Sequence, residues 1–244
     1  MNKPKMILFD YGNTLLCEPM FNTLRGQEAL TGYIKSNKNN LTPKQVNEFS
    51  EELYGKLSAV REMGFELHDW HFQRFLYEYL EIELSIPFTE AEKIFWDNTS
   101  TGALMPNVDK MLGYLSAKGI RSGVVSNITF SGAALAERIN RLLPGNEFEF
   151  FIASSEYMFR KPNPMLFELA LKKARLNAAD VWFCGDTVKT DIEGSAAAGI
   201  FPVWYDDTAM ENLWRMEIKE PVPDCEHLHI HDWDELIELL ERLK

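Results

Sequence analysis

Four polar segments of the sequence carry side chains that could do chemistry together. Each stands at or near the end of a short apolar run. The segments are Asp10 with Thr14, Ser126 with Asn127, Lys161 before Pro162, and Asp186 with Asp191. A single Asp after an apolar run usually caps a turn, so the interpretation depends on the four segments occurring in order. A carboxylate fixed at the end of a strand can attack phosphorus in line, giving an acyl phosphate that water then opens.

Apolar runs precede most of these segments and predict the elements that hold them. The runs cover residues 6–9, 123–127, 150–154, 181–186 and 200–205. Continuous hydrophobicity is typical of parallel strands covered on both faces. Helical periodicity follows between them, as at Val108, Met111 and Leu115. The alternation predicts a doubly wound α/β fold with a parallel sheet, whose strand ends bring the polar residues to one rim.

Residues 18–100 interrupt this alternation and are predicted to be all-helical. Thr42 to Gln45 has the pattern of a capping box with Pro at the first helical position, and Thr89 to Glu92 predicts a second capping box. We therefore expect one α/β core domain, at residues 1–17 and 101–244, interrupted by a helical domain at residues 18–100.

The four segments resemble the motifs of the haloacid dehalogenase-like (HAD) superfamily. The stretch 9–15 is similar to its first motif, Ser126 to its second, Lys161 to its third and the stretch 185–191 to its fourth. The resemblance covers the core on both sides of the insertion. It implies a Rossmann-like core, and an insertion between the first two motifs implies a helical cap of the C1 type.

The resemblance also implies a Mg²⁺-dependent phosphatase in which Asp10 is the nucleophile. The implied metal ligands are Asp10, the backbone carbonyl of Gly12 and Asp186, with Asp191 beside them. Carboxylates next to a phosphoryl group repel it, and Mg²⁺ suits an oxygen site of this kind. The substrate would be a small phosphorylated metabolite.

The remaining polar residues of the motifs are expected to contact the phosphoryl group or the substrate. Lys161 would pair with Asp10 and with phosphoryl oxygens, and the Ser126 hydroxyl would donate to the same oxygens. Thr14 and Asn127 are expected to bind the substrate.

Gly12 departs from the pattern of most phosphatases of this family, which have a second Asp at that position. That Asp protonates the leaving oxygen, and positioned proton transfer contributes on the order of 10²–10⁴ in rate. His68 and His71 are candidates to replace it, although both could be ordinary exposed helix residues.

Three other functions stay open at this point. A haloacid dehalogenase of the family also lacks the second Asp, but the resemblance implies that it works without metal and without an acidic fourth motif. A phosphonate hydrolase would need a Schiff-base lysine from the insertion, where Lys35, Lys38, Lys44 and Lys56 are available. A module that binds a phosphorylated ligand without turning it over would also tolerate Gly12.

Charge and hydropathy exclude several classes of partner. The 25 basic and 37 acidic side chains give a formal net charge of −12. Nucleic acid and anionic membranes need a basic face, so neither is an expected partner. The N-terminal apolar stretch is too short for a signal peptide, and the chain is expected in the cytoplasm. The sequence carries no signal for an oligomeric state.

His227, His229 and His231 alternate, which on a strand would place three imidazoles on one face. Such a face could bind zinc or nickel. The alternative is an exposed final strand before the amphipathic helix that begins near Asp232.

Overall fold

A parallel sheet of six strands forms the centre of the computed structural model, which describes residues 2–206 and 221–243. The strands are β1 (Met6–Phe9), β6 (Arg121–Ser126), β7 (Phe148–Ala153), β8 (Val181–Gly185), β9 (Phe201–Tyr205) and β10 (Leu228–Ile230). Their spatial order is β10-β9-β8-β1-β6-β7. Four further strands, β2 to β5, form two small ribbons: β2 (Leu16–Cys17) with β5 (Ala103–Leu104), and β3 (Ile34–Asn37) with β4 (Ile82–Leu84). The predicted parallel α/β sheet is confirmed.

Strand β1 shows why the apolar runs are continuous. Its four side chains are fully buried. Ile7 and Phe9 pack into one hydrophobic cluster, whereas Met6 and Leu8 pack into another on the opposite face. Because both faces of the sheet are covered, no position of this strand can be polar.

Helices cover the two faces of the sheet. They are α5 (Val108–Ala117), α6 (Gly132–Leu142), α7 (Pro164–Ala174), α8 (Glu193–Ala197) and α9 (Trp233–Arg242). Apolar residues of α5, α6 and α9 pack into the cluster that contains Phe9, and those of α7 pack into the cluster that contains Leu8. Within the described residues, none of the helices has the length and apolarity needed to cross a bilayer.

The insertion holds four helices and the β3–β4 ribbon. The helices are α1 (Thr23–Leu30), α2 (Pro43–Glu62), α3 (Asp69–Tyr79) and α4 (Phe88–Thr99). The all-helical prediction is therefore wrong for the ribbon, whose strands of four and three residues are too short to give a strand pattern. The β2–β5 ribbon joins the two chain segments on either side of the insertion. The domain division at residues 17 and 101 stays a prediction, and residues 1, 207–220 and 244 of the expected core lie outside the described residues.

Two capping boxes were predicted in the insertion, and one of them forms. The Thr42 side chain accepts from the Gln45 backbone, and the Gln45 side chain accepts from the Thr42 backbone. The box at Thr89 is wrong, because α4 begins at Phe88 with Pro87 as its N-cap, two residues earlier than the box predicts, and the Glu92 carboxylate binds elsewhere. The Glu92 carboxylate accepts two hydrogen bonds from Ser131, at 2.5 and 3.0 Å. Ser131 caps α6 of the core, so this carboxylate links the insertion to the core.

Glu66 makes a second link between the insertion and the core. Its buried carboxylate accepts hydrogen bonds from Ser154 Oγ (2.8 Å) and Arg61 Nε (3.0 Å). It also forms an ion pair with Arg160, next to Lys161. The Glu66 backbone N–H donates to the Met158 carbonyl. The insertion is thus fastened to the chain segment that carries Lys161.

Asp69, at the start of α3, gives the insertion a pH-dependent stability. Burial, and then the charge of Glu92, raise the pKa of Asp69 from 3.8 to about 8. The unfolded chain loses this proton near pH 4 and the folded chain near pH 8. Because the folded state binds more protons in this window, stability falls as the pH rises, by roughly 1.4 kcal/mol per pH unit from this group. Asp69→Asn removes the dependence.

We expect urea unfolding midpoints of the Asp69→Asn variant to exceed those of the parent by a margin that grows from about pH 5 to about pH 8. The control is Asp109→Asn, an exposed Asp in the first turn of α5, since both changes remove a carboxylate near a helix N-terminus. A constant difference between parent and Asp69→Asn across the window would contradict the assignment.

Candidate active site

The ends of three adjacent strands place the predicted polar residues side by side. Asp10 follows β1, Ser126 ends β6, and Asp186 follows β8. Since β8, β1 and β6 are neighbours in the sheet, these residues share the carboxyl edge. The Asp10 backbone N–H donates to the Cys184 carbonyl at 2.9 Å, which continues the strand pairing to this edge. All three residues are at least 90% buried.

Lys161 reaches this edge from the loop after β7. Its Nζ lies 2.7 Å from Asp10 Oδ1 and 2.8 Å from Asp191 Oδ1, and the side chain is almost fully buried. Burial by itself would lower the pKa of Lys161, but the carboxylates of Asp10 and Asp191 outweigh it and raise the pKa. The lysine is therefore a fixed positive charge rather than a neutral amine.

Asn127 holds the backbone of Lys161. Its side-chain amide donates to the Lys161 carbonyl at 2.9 Å and accepts from the Lys161 N–H at 2.7 Å. Both polar atoms of the amide are thus used to position the lysine. Asn127 also lines the cavity described below, so its predicted contact with the substrate stays a prediction beside this positioning contact.

Asp191 lies against Gly185 at the end of β8. A Cβ added to Gly185 would come within 2.5 Å of the Cβ, Cγ and Oδ2 atoms of Asp191, so only glycine fits. The Thr187 N–H donates to Asp191 Oδ2 at 3.1 Å. Burial raises the pKa of Asp191, while Lys161 opposes this shift. The close approach brings Asp191 next to Asp186 across the turn.

Asp10, Asp186 and Asp191 form a buried carboxylate cluster. Each offers one oxygen, and these oxygens lie within 4.8 Å of one another. Hard carboxylate oxygens at this spacing are the donors that Mg²⁺ prefers. The donor set therefore fits a small divalent cation.

A cavity of about 410 Å³, here called the strand-end cavity, opens above the cluster. Its polar wall includes Asp10, Gly12, Ser126, Asn127, Lys161, Asp186 and Asp191, and its aromatic wall consists of Tyr11, Phe21, Trp96 and Phe130. Phe21 and Trp96 come from the insertion. The cavity is large enough for a small phosphate ester, and both parts of the chain enclose it.

Thr14 lies elsewhere. Its side chain is fully buried and is not part of the cavity wall. The turn after β1 folds back through hydrogen bonds from Leu15 and Leu16 to the Tyr11 carbonyl, which packs Thr14 into the interior. The predicted substrate contact of Thr14 is therefore not available in this structure.

A buried network beside the cavity was not predicted. Arg138 Nη2 donates to Glu18 Oε2 at 2.7 Å, and Arg138 Nε contacts the Tyr11 hydroxyl at 3.1 Å. The Tyr11 hydroxyl donates to Glu18 Oε1, which also accepts from Trp96 Nε1. Glu18 lines the cavity. Its carboxylate accepts hydrogen bonds from Tyr11, Trp96 and Arg138. No local pattern reveals the network, since Arg138 and Glu18 are 120 residues apart.

The basic candidates from the insertion do not reach the strand-end cavity. His68 caps α3 by accepting from the Trp70 N–H, and His71 is exposed. Neither lines the cavity. The four lysines considered for a Schiff base are also absent from its wall, and each lies near an acidic partner on the surface; they are Lys35, Lys38, Lys44 and Lys56.

The histidines near the C-terminus form a different cluster from the one predicted. Asp206, His229 and His231 place possible ligand atoms within 4.8 Å of one another, whereas His227 contacts the Cys225 carbonyl. His229 also stacks on Trp204, with ring centroids 4.1 Å apart. A metal on the three alternating histidines is therefore not supported by their positions.

The fold and the site have the features of one class of hydrolases: a parallel sheet, carboxylates at the strand ends and a lysine from a following loop. Comparison of the sequence with protein-family models identifies this class. Residues 4–199 match the family described as haloacid dehalogenase-like hydrolase. The match spans most of the chain. The protein belongs to this family and is an enzyme.

Two curated relatives are both named glyceraldehyde 3-phosphate phosphatase. The one from Pyrococcus furiosus is 26% identical over 246 residues, covering 99% of this chain and 95% of the relative. The one from Pyrococcus abyssi is 27% identical over 203 residues, covering 82% of this chain and 81% of the relative. The similarity spans nearly the whole length of the first relative.

Two solved structures share the fold along the whole chain. A HAD phosphatase from Thermococcus onnurineus superposes with a TM-score of 0.63 at 19% identity and covers 98% of both chains. A 2-haloacid dehalogenase from Pseudomonas syringae pv. Tomato DC3000 superposes with the same TM-score at 21% identity and covers 99% of both. Since the two structures have different activities, the likeness extends to the fold alone.

Proposed function

We propose that this protein is a Mg²⁺-dependent phosphatase that hydrolyses a small phosphate monoester through an aspartyl phosphate on Asp10. The observation that carries the proposal is the buried cluster of Asp10, Asp186 and Asp191, with Lys161 between two of them, at the floor of an open cavity. The curated relatives named as phosphatases support it.

Asp10 would hold the cation together with Asp186, Asp191 and the Gly12 carbonyl. When bound, the cation would neutralise the phosphoryl group and polarise it toward attack. The carboxylates of the site themselves require an added positive charge before a phosphate can bind. Three carboxylates would repel an incoming phosphate, and Lys161 contacts only two of them.

Asp10 is suited to act as the nucleophile because its carboxylate is fixed. The strand end holds its backbone and Lys161 holds Oδ1. An oxygen of Asp10 would form the bond to phosphorus as the bond to the ester oxygen breaks, and the leaving oxygen would take a proton from solvent water. Water would then attack phosphorus and release phosphate, which restores Asp10.

Ser126 and Lys161 are proposed to bind the phosphoryl oxygens. The Ser126 hydroxyl lies at the cavity wall, and Lys161 supplies a charge-assisted donor. Asn127 acts as a positioning residue through its two hydrogen bonds to the Lys161 backbone. The negative charge of the phosphoryl group would thus be stabilised by donors that are already ordered before the substrate binds.

Residues 18–100 are proposed to act as a cap that helps to choose the substrate. Phe21 and Trp96 of the insertion line the strand-end cavity, and Glu66 fastens the insertion to Arg160 beside Lys161. Enclosure of this kind would limit the access of bulk water to the reacting groups. Glyceraldehyde 3-phosphate is a first substrate to test, on the names of the two relatives.

Removal of divalent cations is expected to lower phosphate release by at least about 10²-fold, and added Mg²⁺ should restore it. A screen of phosphate monoesters with a chelator or with Mg²⁺, followed by phosphate detection, measures this. Asp186→Asn should raise the Mg²⁺ concentration for half-maximal activity by at least about tenfold, and calorimetry should show the same loss of Mg²⁺ affinity.

Adding 2-haloacids and phosphonates to this screen separates the other functions. Halide release from 2-haloacids without a cation would identify a dehalogenase. Inactivation by borohydride during turnover of a phosphonate would identify a Schiff-base enzyme. Tight binding of phosphate esters with no turnover of any of them would identify a binding module, and equal phosphate release with and without cations would contradict the proposed metal dependence.

A further inference from the structure

A second cavity, here called the insertion cavity, lies next to the strand-end cavity. It measures about 340 Å³ and lies between helices of the insertion and Thr129 and Phe130 of the core. Most of its wall is apolar, with Phe72, Leu76 and Phe95 among the lining side chains. It is comparable in volume to the strand-end cavity.

Two aromatic side chains are shared by the walls of both cavities. Phe21 and Phe130 line each of them. Phe130 is buried and stacks on Trp96, with ring centroids 4.1 Å apart, so its position is fixed. Phe21 is half exposed and is the shared side chain with room to move. Phe21 and Phe130 are therefore the residues at which the two cavities meet.

The insertion cavity also contains a buried acceptor with no donor. Gln73 is 4% exposed, and its Oε1 has no hydrogen-bond partner, although its Nε2 donates to Asp69 Oδ2 at 2.6 Å. Asp69 lines the same cavity, and burial, followed by the charge of Glu92, raises its pKa to about 8. A buried acceptor without a partner is unfavourable, so the wall at Gln73 is suited to a ligand group that donates a hydrogen bond.

The geometry points to the insertion cavity as the site for the organic part of the phosphate ester. This part is an apolar chain or ring whose far end carries a hydroxyl or amide that donates to Gln73 Oε1. The inference rests on the proposed phosphatase function, and it narrows the substrate class. A three-carbon phosphate would leave the apolar wall unfilled, whereas a longer ester would extend from the strand-end cavity past Phe21.

Hydrolysis of a homologous series tests the inference. The probes are methyl, butyl and hexyl phosphate and 6-hydroxyhexyl phosphate. Within the reach of the cavity we expect kcat/KM to rise by about fourfold for each CH₂ group that enters the apolar wall. The terminal hydroxyl should add a further gain of up to about tenfold by pairing with Gln73.

Two variants separate the apolar wall from the polar end. Gly55 lines the cavity from α2, and a Cβ placed there meets nothing within 4 Å, so Gly55→Leu narrows the cavity while favouring the helix. It should reduce the hexyl to methyl ratio of kcat/KM by at least about tenfold. Gln73→Met should abolish the preference for 6-hydroxyhexyl over hexyl phosphate and leave the hexyl to methyl ratio in place.

The matched control is Gly113→Leu, which makes the same change at an exposed helical glycine of the core, where an added Cβ also meets nothing within 4 Å. It should leave every ratio unchanged. Hydrolysis of methyl phosphate with no effect of chain length, or ratios that Gly55→Leu and Gln73→Met do not alter, would overturn the inference alone. No hydrolysis of any ester would overturn the phosphatase proposal and the inference with it.

Discussion

Asp10→Asn is expected to lower kcat for phosphate ester hydrolysis by a factor on the order of 10³ or more while leaving the fold intact. Asparagine has the shape of aspartate but a far weaker nucleophilic oxygen. Its side-chain carbonyl can still accept the hydrogen bond that Lys161 Nζ donates to Asp10 Oδ1. Lys161 also keeps its ion pair with Asp191, so the buried ammonium is not left without a counter-charge.

The measurement combines steady-state kinetics with thermal unfolding, because a loss of fold would also abolish turnover. Acid quenching of the parent enzyme with substrate radiolabelled at phosphorus should leave label on the protein, and hydroxylamine should remove it as expected for an acyl phosphate. The Asn variant should retain no label. Ser126→Ala serves as the comparison, since it removes one donor and should cost less, on the order of 10²-fold. If Asp10→Asn keeps more than a tenth of the parent activity, another group or water itself attacks phosphorus.

The central sheet could be predicted because burial on both faces leaves a plain trace in the sequence. Ile7 and Phe9 face one cluster and Met6 and Leu8 the other, so the whole of β1 reads as apolar. The β3–β4 ribbon leaves no such trace. Ile34–Asn37 is partly exposed and mostly polar, and its partner strand comes after two intervening helices. Its pairing is decided by tertiary contacts that a local pattern does not encode.

The residues of the candidate site also fall into those that the sequence predicts and those whose contacts it does not. Asp10, Ser126 and Asp186 could be predicted because each directly ends an apolar strand, and a parallel sheet brings such ends together. The sequence places Asn127 near the site but does not predict its hydrogen bonds, because these are made with the backbone of Lys161, 34 residues away. Glu92 shows the opposite error. Its spacing from Thr89 suggests a helix cap, whereas its carboxylate accepts from Ser131 of the core.

Gly12→Asp is expected to raise kcat for alkyl phosphates by a factor on the order of 10²–10⁴. Gly12 lines the strand-end cavity, and a Cβ placed there meets nothing within 4 Å. The backbone there does not require glycine, so an aspartate can be accommodated without strain. Apart from the three clustered aspartates, the acidic side chain in the wall of the strand-end cavity is Glu18. Its carboxylate accepts hydrogen bonds from Tyr11, Trp96 and Arg138, so it is not available to donate a proton.

The gain should depend on the leaving group. An alkoxide needs a proton as the bond to phosphorus breaks, whereas p-nitrophenolate leaves without one, so p-nitrophenyl phosphate should gain far less than an alkyl phosphate. Gly12→Asn is the matched control, because it has the same size and cannot act as an acid, and it should give no gain on either substrate. An unchanged rate on alkyl phosphates in Gly12→Asp, with the fold retained, would mean that another group already supplies the proton. Equal gains for Asp and Asn would mean that packing at the cavity wall, rather than proton transfer, limits the parent enzyme.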